Sequence, residues 1–490
     1  MNLMLLWPIL LPVLGGLCAA FIPSMQERRV RTPFVGLILA LTVLAVAPIL
    51  ISTEPQLTLW QLTDTISITL RADGMAKLFI GLVSVMWLLV GIFSFEYMHH
   101  EKNEPRFYAF YLLSLGDLMA LGMSGNLVTL YMFYEGMTLL TLPLVLHSQT
   151  KEAVAAGIKY LIYSVFGASA ALLGIFFLNH YCTTLTFTPG GALDMAKVAG
   201  NEPLLLGVIL LMIVGFGTKA GMFPLHGWLP TAHPVAPAPA SAVLSGVITK
   251  GGVLGIVRVV FFLVGPSFLR GTFVHAAWMT LALITVFMGS MLAFKENVLK
   301  KRLAYSTVSQ VSYVLFGLST LTPVGFLGAL LHIVAHSVIK DTLFLCAGAV
   351  IYKTGKTRVD ELTGIGKQMP VTMWCFTLVS VALIGIPPTC GFVSKWYLAQ
   401  GALALGSSVF AWFGPAVLLT SALLTAGYLM PIAIRGFFPG NAVDLGTLEK
   451  KEPTAYMLAP LLLLAAAAVL IGMFPGALLS FFQSIAGSVF

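Results

Sequence analysis

A chain of 490 residues in which 58% are hydrophobic and only 9% charged, with a mean hydropathy of +0.95, is not a soluble globular domain; such domains carry about 25% charged residues. The net charge of +8 is no nucleic-acid footprint either, because the basic residues sit in loops or singly inside apolar runs. The five cysteines (Cys18, Cys182, Cys346, Cys375 and Cys390) show no CxxC or Cys/His spacing, so no iron–sulfur cluster, structural zinc or other metal or cofactor is expected.

The apolar runs are about 20 residues long and do not alternate, which predicts membrane-spanning helices and not barrel strands. In chain order the spans are expected at 3–22, 32–51, 75–95, 107–123, 126–147, 154–178, 204–230, 240–264, 275–294, 304–321, 324–350, 370–400, 408–434 and 455–473, fourteen in all. The opening "MNLMLLWPILLPVLGG" lacks a basic n-region and a small-residue cleavage site, so it reads as a retained first span. The tail from Pro475 to Phe490 is too short for another span and is expected at the interface. Loops after odd-numbered spans hold seventeen of the 27 Lys and Arg residues and loops after even-numbered spans hold three. The positive-inside rule then predicts both termini outside the cytoplasm of an inner (plasma) membrane protein.

Seven basic residues remain inside spans, where a cation costs roughly 2.5–3.5 kcal/mol on insertion scales. Lys219 in "GFGTKAGMFPLHGWLP", Lys250 in "VLSGVITKGGVLG" and Lys395 in "GFVSKWYLAQ" lie centrally, as does Glu135 in "LYMFYEGMTLLTLPLV". A carboxyl that only serves helix packing is the plain reading of Glu135 alone; four central groups able to exchange protons point to ion movement instead. Burial and a nearby carboxylate pull on a lysine's proton in opposite directions, so moving the carboxylate switches the lysine between holding and releasing it. In "HIVAHSVIKDTLFLCAG", His332, His336 and Lys340 recur at helical spacing on one face. No third ligand type accompanies the histidines, so a proton relay is preferred to a haem or metal site. His226 and His233 suit an interfacial or a relay role equally, and Asp117, Lys159, Arg258 and Asp341 can simply pair across helices, which leaves their roles open.

Span seven carries Gly215, Gly217, Gly221 and Pro224, and span twelve carries "IGIPPTCGF". Each therefore breaks at membrane depth, where unpaired backbone survives only against protein or a water-filled cavity. Two broken helices at matching places predict inverted repeats with ion sites at mid-membrane. The expected organisation is N-terminal helices 1–3 over residues 1–106, a first inverted repeat of helices 4–8 over 107–264, a second of helices 9–13 over 265–437, and helix 14 with the interfacial tail over 438–490. The fold class is thus an all-α polytopic membrane protein with broken helices 7 and 12.

The segments "TKAGMFPLHGWLPTAHPVAPAPASAVLSGVITKGGVLG", "KRLAYSTVSQVSYVLFG", "HIVAHSVIKDTLFLCAG", "VDELTGIGKQMP" and "GIPPTCGFVSKW" resemble the signature segments of the antiporter-like subunits shared by respiratory complex I, membrane-bound hydrogenases and Mrp-type cation/proton antiporters. The resemblance runs from span three to span thirteen in the expected order. It implies fourteen helices in two inverted five-helix repeats, with Glu135 at the family's glutamate of helix five, Lys219 at its partner lysine of helix seven, Lys250 at the central lysine of helix eight and Lys395 at the terminal position of helix twelve. The M-type subunit of complex I usually has glutamate at that last position, and too few residues follow span fourteen for the lateral helix of an L-type subunit. A D-type Mrp subunit, a hydrogenase or complex-I-like membrane-arm subunit, and an unusual M-type or N-type subunit stay open.

The expected function is translocation of protons, with sodium as an alternative cargo, by a non-redox subunit of a larger membrane complex, through Glu135, Lys219, Lys250, His332, His336 and Lys395. Other membrane subunits, further antiporter-like ones among them, and the lipid bilayer are the expected partners. The rival reading is an autonomous secondary transporter of an organic solute, which many broken-helix permeases would suit. Its site should gather polar and aromatic side chains beside the breaks, whereas the polar residues here are strung from span five to span twelve. A third reading, a structural anchor, would leave Lys219 replaceable by methionine.

Overall fold

The computed structural model describes residues 2–64, 66–440 and 448–490; part of the expected last segment, 441–447, lies outside the described residues. Helix runs through each of the fourteen expected ranges. In chain order these are α1 (Trp7–Phe21), α2 (Arg28–Ile51), α3 (Gly74–Tyr97), α4 (Glu104–Gly122), α5 (Leu127–Val145), α6 (Lys151–Tyr181), α7 (Glu202–Ala220), α8 (Leu229–Val235) and α9 (Ala238–Val264). They continue as α10 (Phe273–Lys295), α11 (Leu299–Ser319), α12 (Pro323–Thr354), α13 (Pro370–Ile384), α14 (Cys390–Leu403), α15 (Phe410–Phe437) and α16 (Ala455–Met473), with α17 (Gly476–Val489) beyond the last range.

Among the described residues, eleven helices are long and apolar enough to cross a membrane by length and composition. The expected fourth, tenth and twelfth spans fall outside that set for visible reasons. α4 carries Glu104, Arg106 and Asp117, α11 opens on Lys300, Lys301 and Arg302, and the twelfth is divided between α13 and α14. The C-terminal tail is a 14-residue helix, α17, that turns Phe482, Ile485 and Val489 inward against α12.

Residues 56–71, expected as loop, depart from the all-helical pattern. They form an antiparallel hairpin of β1 (Gln56–Gln61) and β2 (Ser67–Arg71), the two strands among the described residues. Its second strand docks on the turn between α4 and α5, where Gly125 N–H donates to the Thr69 carbonyl at 2.8 Å and Leu70 bridges Ser124. The segment 182–201 joins it, with Arg71 donating to the Phe187 carbonyl at 3.1 Å. These contacts define a hairpin face. On the opposite face Glu96 accepts from Thr454 N–H (3.1 Å) and pairs with Lys353 (3.3 Å), while Glu452 accepts from Thr372 Oγ1 (2.8 Å). Lys300, counted with the loops in the sequence, lies instead in the first turn of α11, buried against the Ala236 carbonyl, because the end of α8 needs a donor there.

The core sits on two helices. α9 and α12 are the spans whose apolar windows are entirely buried, and α12, 32 residues long, is packed by α3, α9, α11, α13, α14, α16 and α17. A helix ringed by helices is the place where a polar side chain meets protein and not lipid.

Candidate ion path

Both breaks follow from glycine. α7 stops at Gly221 (φ 79°) and α13 at Gly385 (φ 95°), left-handed positions that end a helix by leaving its last carbonyls free. Lys219 lies in the last turn of α7 itself. Lys395, on α14, reaches back to the freed end of α13 and donates to the carbonyls of Leu383 (2.5 Å) and Ile384 (3.1 Å). Each lysine therefore sits at the negative end of a half-helix, where a cation is favoured.

Lys219 is wholly buried and its Nζ donates to Thr138 Oγ1 (2.8 Å), Tyr160 OH (2.7 Å) and Ser164 Oγ (3.0 Å), with the Tyr160 ring 4.3 Å away. Three hydroxyls match the three protons of an ammonium, and each can turn to donate instead, so the site tolerates the neutral amine as well. The expected direct pair with Glu135 is not made in this structure. Glu135 is only partly buried, on the face of α5 that also exposes Met132 and Leu139, and its carboxylate accepts from Tyr131 OH at 3.1 Å. It stands within electrostatic reach of Lys219, as does Asp117. The expectation of a uniformly buried row is thus corrected at Glu135, because Tyr131, one turn away, holds the carboxylate to the flank.

α9 crosses α7 at Gly252, where an added Cβ would lie 3.0 Å from Lys219 Cβ, so the two lysine-bearing turns meet. Just before Lys250 the helix widens into a π-turn, Leu244–Ile248. The Ser245 carbonyl takes Lys250 Nζ at 2.7 Å, and Lys250 Nζ lies 2.6 Å from His336 Nδ1. With the lysine charged, it donates that bond and the neutral His336 ring carries its proton on Nε2. One turn along α12, 6.2 Å between ring centres, His332 places Nδ1 2.9 Å from Ser394 Oγ, beside Lys395. Tyr313 closes this end: its ring stacks on His332 at 5.4 Å and lies 4.9 Å from Lys395 Nζ.

The structure thus brings Lys250, His336, His332 and Lys395 into one row, with Lys219 packed against its near end and Glu135 on the flank. Lys219, Lys250, His332 and His336 are buried, whereas the end members Glu135 and Lys395 are partly exposed. Sequence reasoning missed Thr138, Tyr160, Ser164, Ser245, Tyr313 and Ser394, since hydroxyls in apolar runs are commonplace. Of the residues able to pair across helices, Arg258 does so, gripping Asp73 with two bonds of 2.5 and 2.8 Å between the rings of Phe187 and Phe262. Asp341 does not: it is fully buried, neither carboxylate oxygen has a hydrogen-bond partner among the described residues, and Lys250 is its electrostatic neighbour. Lys340 donates to Ser306 Oγ (2.6 Å) and the Leu303 carbonyl (3.1 Å). His233 is buried and stacked on Phe344 at 4.6 Å, away from the row.

A row of lysines and histidines sealed inside a polytopic helical bundle, with half-helices broken beside its lysines, defines a membrane protein of the antiporter-like class. Residues 124–425 match the family described as "NADH:quinone oxidoreductase/Mrp antiporter, TM", and residues 60–108 match the N-terminal family of complex I chain 5. The chain belongs to this NADH:quinone oxidoreductase/Mrp antiporter membrane family. It is 34% identical over 428 residues to the N-type NADH-quinone oxidoreductase subunit of Desulforudis audaxviator, covering 83% of this chain and 82% of the relative. It is 31% identical over 447 residues to the D-type Na(+)/H(+) antiporter subunit of Alkalihalophilus pseudofirmus, covering 89% and 87%. A chain in the solved Mrp complex of a Dietzia species shares the fold, with a TM-score of 0.85 over 100% of this chain and 98% of the other at 21% identity.

Proposed function

We propose that the chain is an ion-translocating subunit of a multi-subunit membrane complex, in which protons pass from the Glu135–Lys219 end of the row through Lys250, His336 and His332 to Lys395. The observation that carries this reading is the bond between Lys250 and His336, 2.6 Å long and buried on both sides. An ammonium donor and an imidazole acceptor on one bond need no rearrangement to hand over a proton. When Glu135 swings inward the ammonium of Lys219 is steadied; when it rests on Tyr131, as here, the proton is free to leave through water toward Lys250. Cytoplasmic entry near Lys219 and outward release near Lys395 suit a redox-driven pump. The reverse direction, coupled to sodium, suits an antiporter.

The wider organisation belongs to the same reading. All fourteen helical ranges cross the inner membrane with both termini outside the cytoplasm, and 107–264 and 265–437 are inverted repeats. The packing of α6 on both halves of its broken span, α7 and α8, and of α12 on both halves of its own, α13 and α14, supports this. The half-exposed Glu135 and Lys395 are the points at which neighbouring membrane subunits are expected to close the path, as the names of the relatives suggest. Nothing favours the organic-solute reading, because the polar atoms form a line instead of gathering beside the breaks.

The test is ion movement by the assembled complex in sealed vesicles, with protein abundance measured in parallel. Lys219→Ala and Glu135→Gln should each abolish translocation at near-normal abundance. Normal pumping by either variant would refute the switch, and transport of a solute by the chain alone would restore the rival reading.

A further inference from the structure

On the hairpin face, away from the row, three helices point their N-termini at one cavity of about 640 Å³. α10 (23 residues), α12 (32) and α15 (28) begin at Phe273, Pro323 and Phe410, and Thr272, Thr322, Ser408 and Phe410 line the cavity at those starts. Three positive helix ends make a place for an anion, although the Thr272 and Thr322 side chains already accept from the His275 and Gly325 N–H groups in the first turns of α10 and α12, and helix ends alone do not make a site. One charged side chain adds to them, Arg270, which lines the cavity. His275 lines it too, its Nδ1 accepting from Gly271 N–H at 3.2 Å and its buried Nε2 turned to the Ser319 and Thr320 carbonyls. Of the three basic residues in the loops of this face, Arg71 pairs with Glu54 at 2.9 Å and Lys197 with Asp194 at 4.0 Å, whereas Arg270 has no carboxylate partner among the described residues. Arg270 gives one bond, 2.8 Å, to the Leu321 carbonyl and keeps its other donors free. No Asp or Glu lines the cavity among the described residues.

What distinguishes this cavity from a site for a free anion is its floor. At Phe410 it adjoins a second cleft of about 680 Å³, between α10 and α15, that runs down the flank of the bundle. Leu283, Ile284, Phe287, Phe413 and Val417 line that cleft, and the hydroxyls of Thr280 and Thr420 are the polar side chains there among the described residues. A cationic chamber at the level of the helix ends, opening onto an apolar groove along the spans, has the shape of one amphiphile: an anionic head above a hydrocarbon chain.

We propose that this paired cavity binds an anionic phospholipid, its phosphate held by Arg270 and the helix starts, and one acyl chain laid between α10 and α15. The absence of an acidic lining residue among those described sets the preference, since no carboxylate there would pair with the quaternary ammonium of a choline head. The site is independent of the ion path and of how that path is read.

The full chain, in its complex, is extracted and exchanged with mixed micelles of phosphatidylglycerol and phosphatidylcholine, and retained lipid is read by native mass spectrometry. The wild type should keep phosphatidylglycerol in preference. Arg270→Gln should lower its retention about tenfold, as the loss of one charge-assisted hydrogen bond does. Ala416→Trp, which fills the groove, should lower phospholipid retention as well; a free phosphate needs only the upper chamber, so this loss marks the acyl chain as part of the ligand. A photoreactive group at Phe413 should capture lipid in the assembled complex. Equal retention of the two lipids, undiminished retention in both folded variants, or capture of a neighbouring polypeptide at Phe413 in place of lipid would each overturn the proposal.

Discussion

An ammonium has three protons to place, and Lys219 places them on three hydroxyls and no carboxylate. Hydroxyls leave the protonation state to be decided elsewhere, which is what a switch needs and a structural cation does not. Lys250 differs in having an imidazole on its bond, and that makes it the residue where charge and proton transfer can be separated by mutation. Lys250→Arg keeps the charge, but a guanidinium stays protonated at any cellular pH and cannot hand a proton to His336. Arginine and alanine at this position should therefore be equally inactive in vesicle pumping assays; activity with arginine would make Lys250 a mere structural cation. The lysines were legible in the sequence because a charge inside an apolar run has few innocent explanations. Asp341 was visible too, but a pairing across helices left its role open. Its two unbonded oxygens beside Lys250 put it in a position to steady the Lys250 ammonium. On that argument Asp341→Asn should leave abundance unchanged and slow translocation several-fold, with the pH profile of pumping displaced toward acid; an unchanged profile would mean that Asp341 is a neutral packing group.

At the scale of the element, glycine and proline made both broken helices readable, since a helix cannot pass Gly221–Pro224 or Gly385–Pro388 without loss of backbone bonds. The π-turn at Leu244–Ile248 was not readable, because nothing in the run Leu-Ser-Gly-Val-Ile separates a π-turn from an α-helix in an apolar span; it goes with the Ser245 carbonyl lying on Lys250. The hairpin 56–71 was hidden for another reason: a short strand pair between spans has too little periodicity to compete with the membrane signal. Its neighbour Asp73 caps α3 by accepting from Ala76 N–H at 2.9 Å and also clamps Arg258 on α9. Here two charges hold helices together and have no place in the row. Asp73→Ala should cost about 3–5 kcal/mol through the unpaired guanidinium, read as a lowered unfolding temperature, while the molecules that fold pump normally. Loss of pumping at full stability would instead draw Arg258 into the path.

For the whole molecule, the order of burial along the row matters more than any one bond. Its middle is sealed within α9 and α12, and its ends, Glu135 and Lys395, reach the flanks. A path closed in the middle and open at the ends passes protons by handing them along fixed groups and the water between them, and the last group must both take and give one. Lys395 rests on two carbonyls at the end of α13 and on the Tyr313 ring, with no carboxylate in its hydrogen-bond set. A glutamate there would lose those carbonyl acceptors in its charged form but could hold a proton toward them in its neutral form. Lys395→Glu should therefore retain part of the translocation. Lys395→Met, which keeps the length of the side chain and carries no proton, should retain none. Both variants are to be compared across several pH values in the assembled complex, with abundance measured alongside. Full activity in Lys395→Met would place the exit elsewhere, with Lys340 and its bond to Ser306 the next group to test.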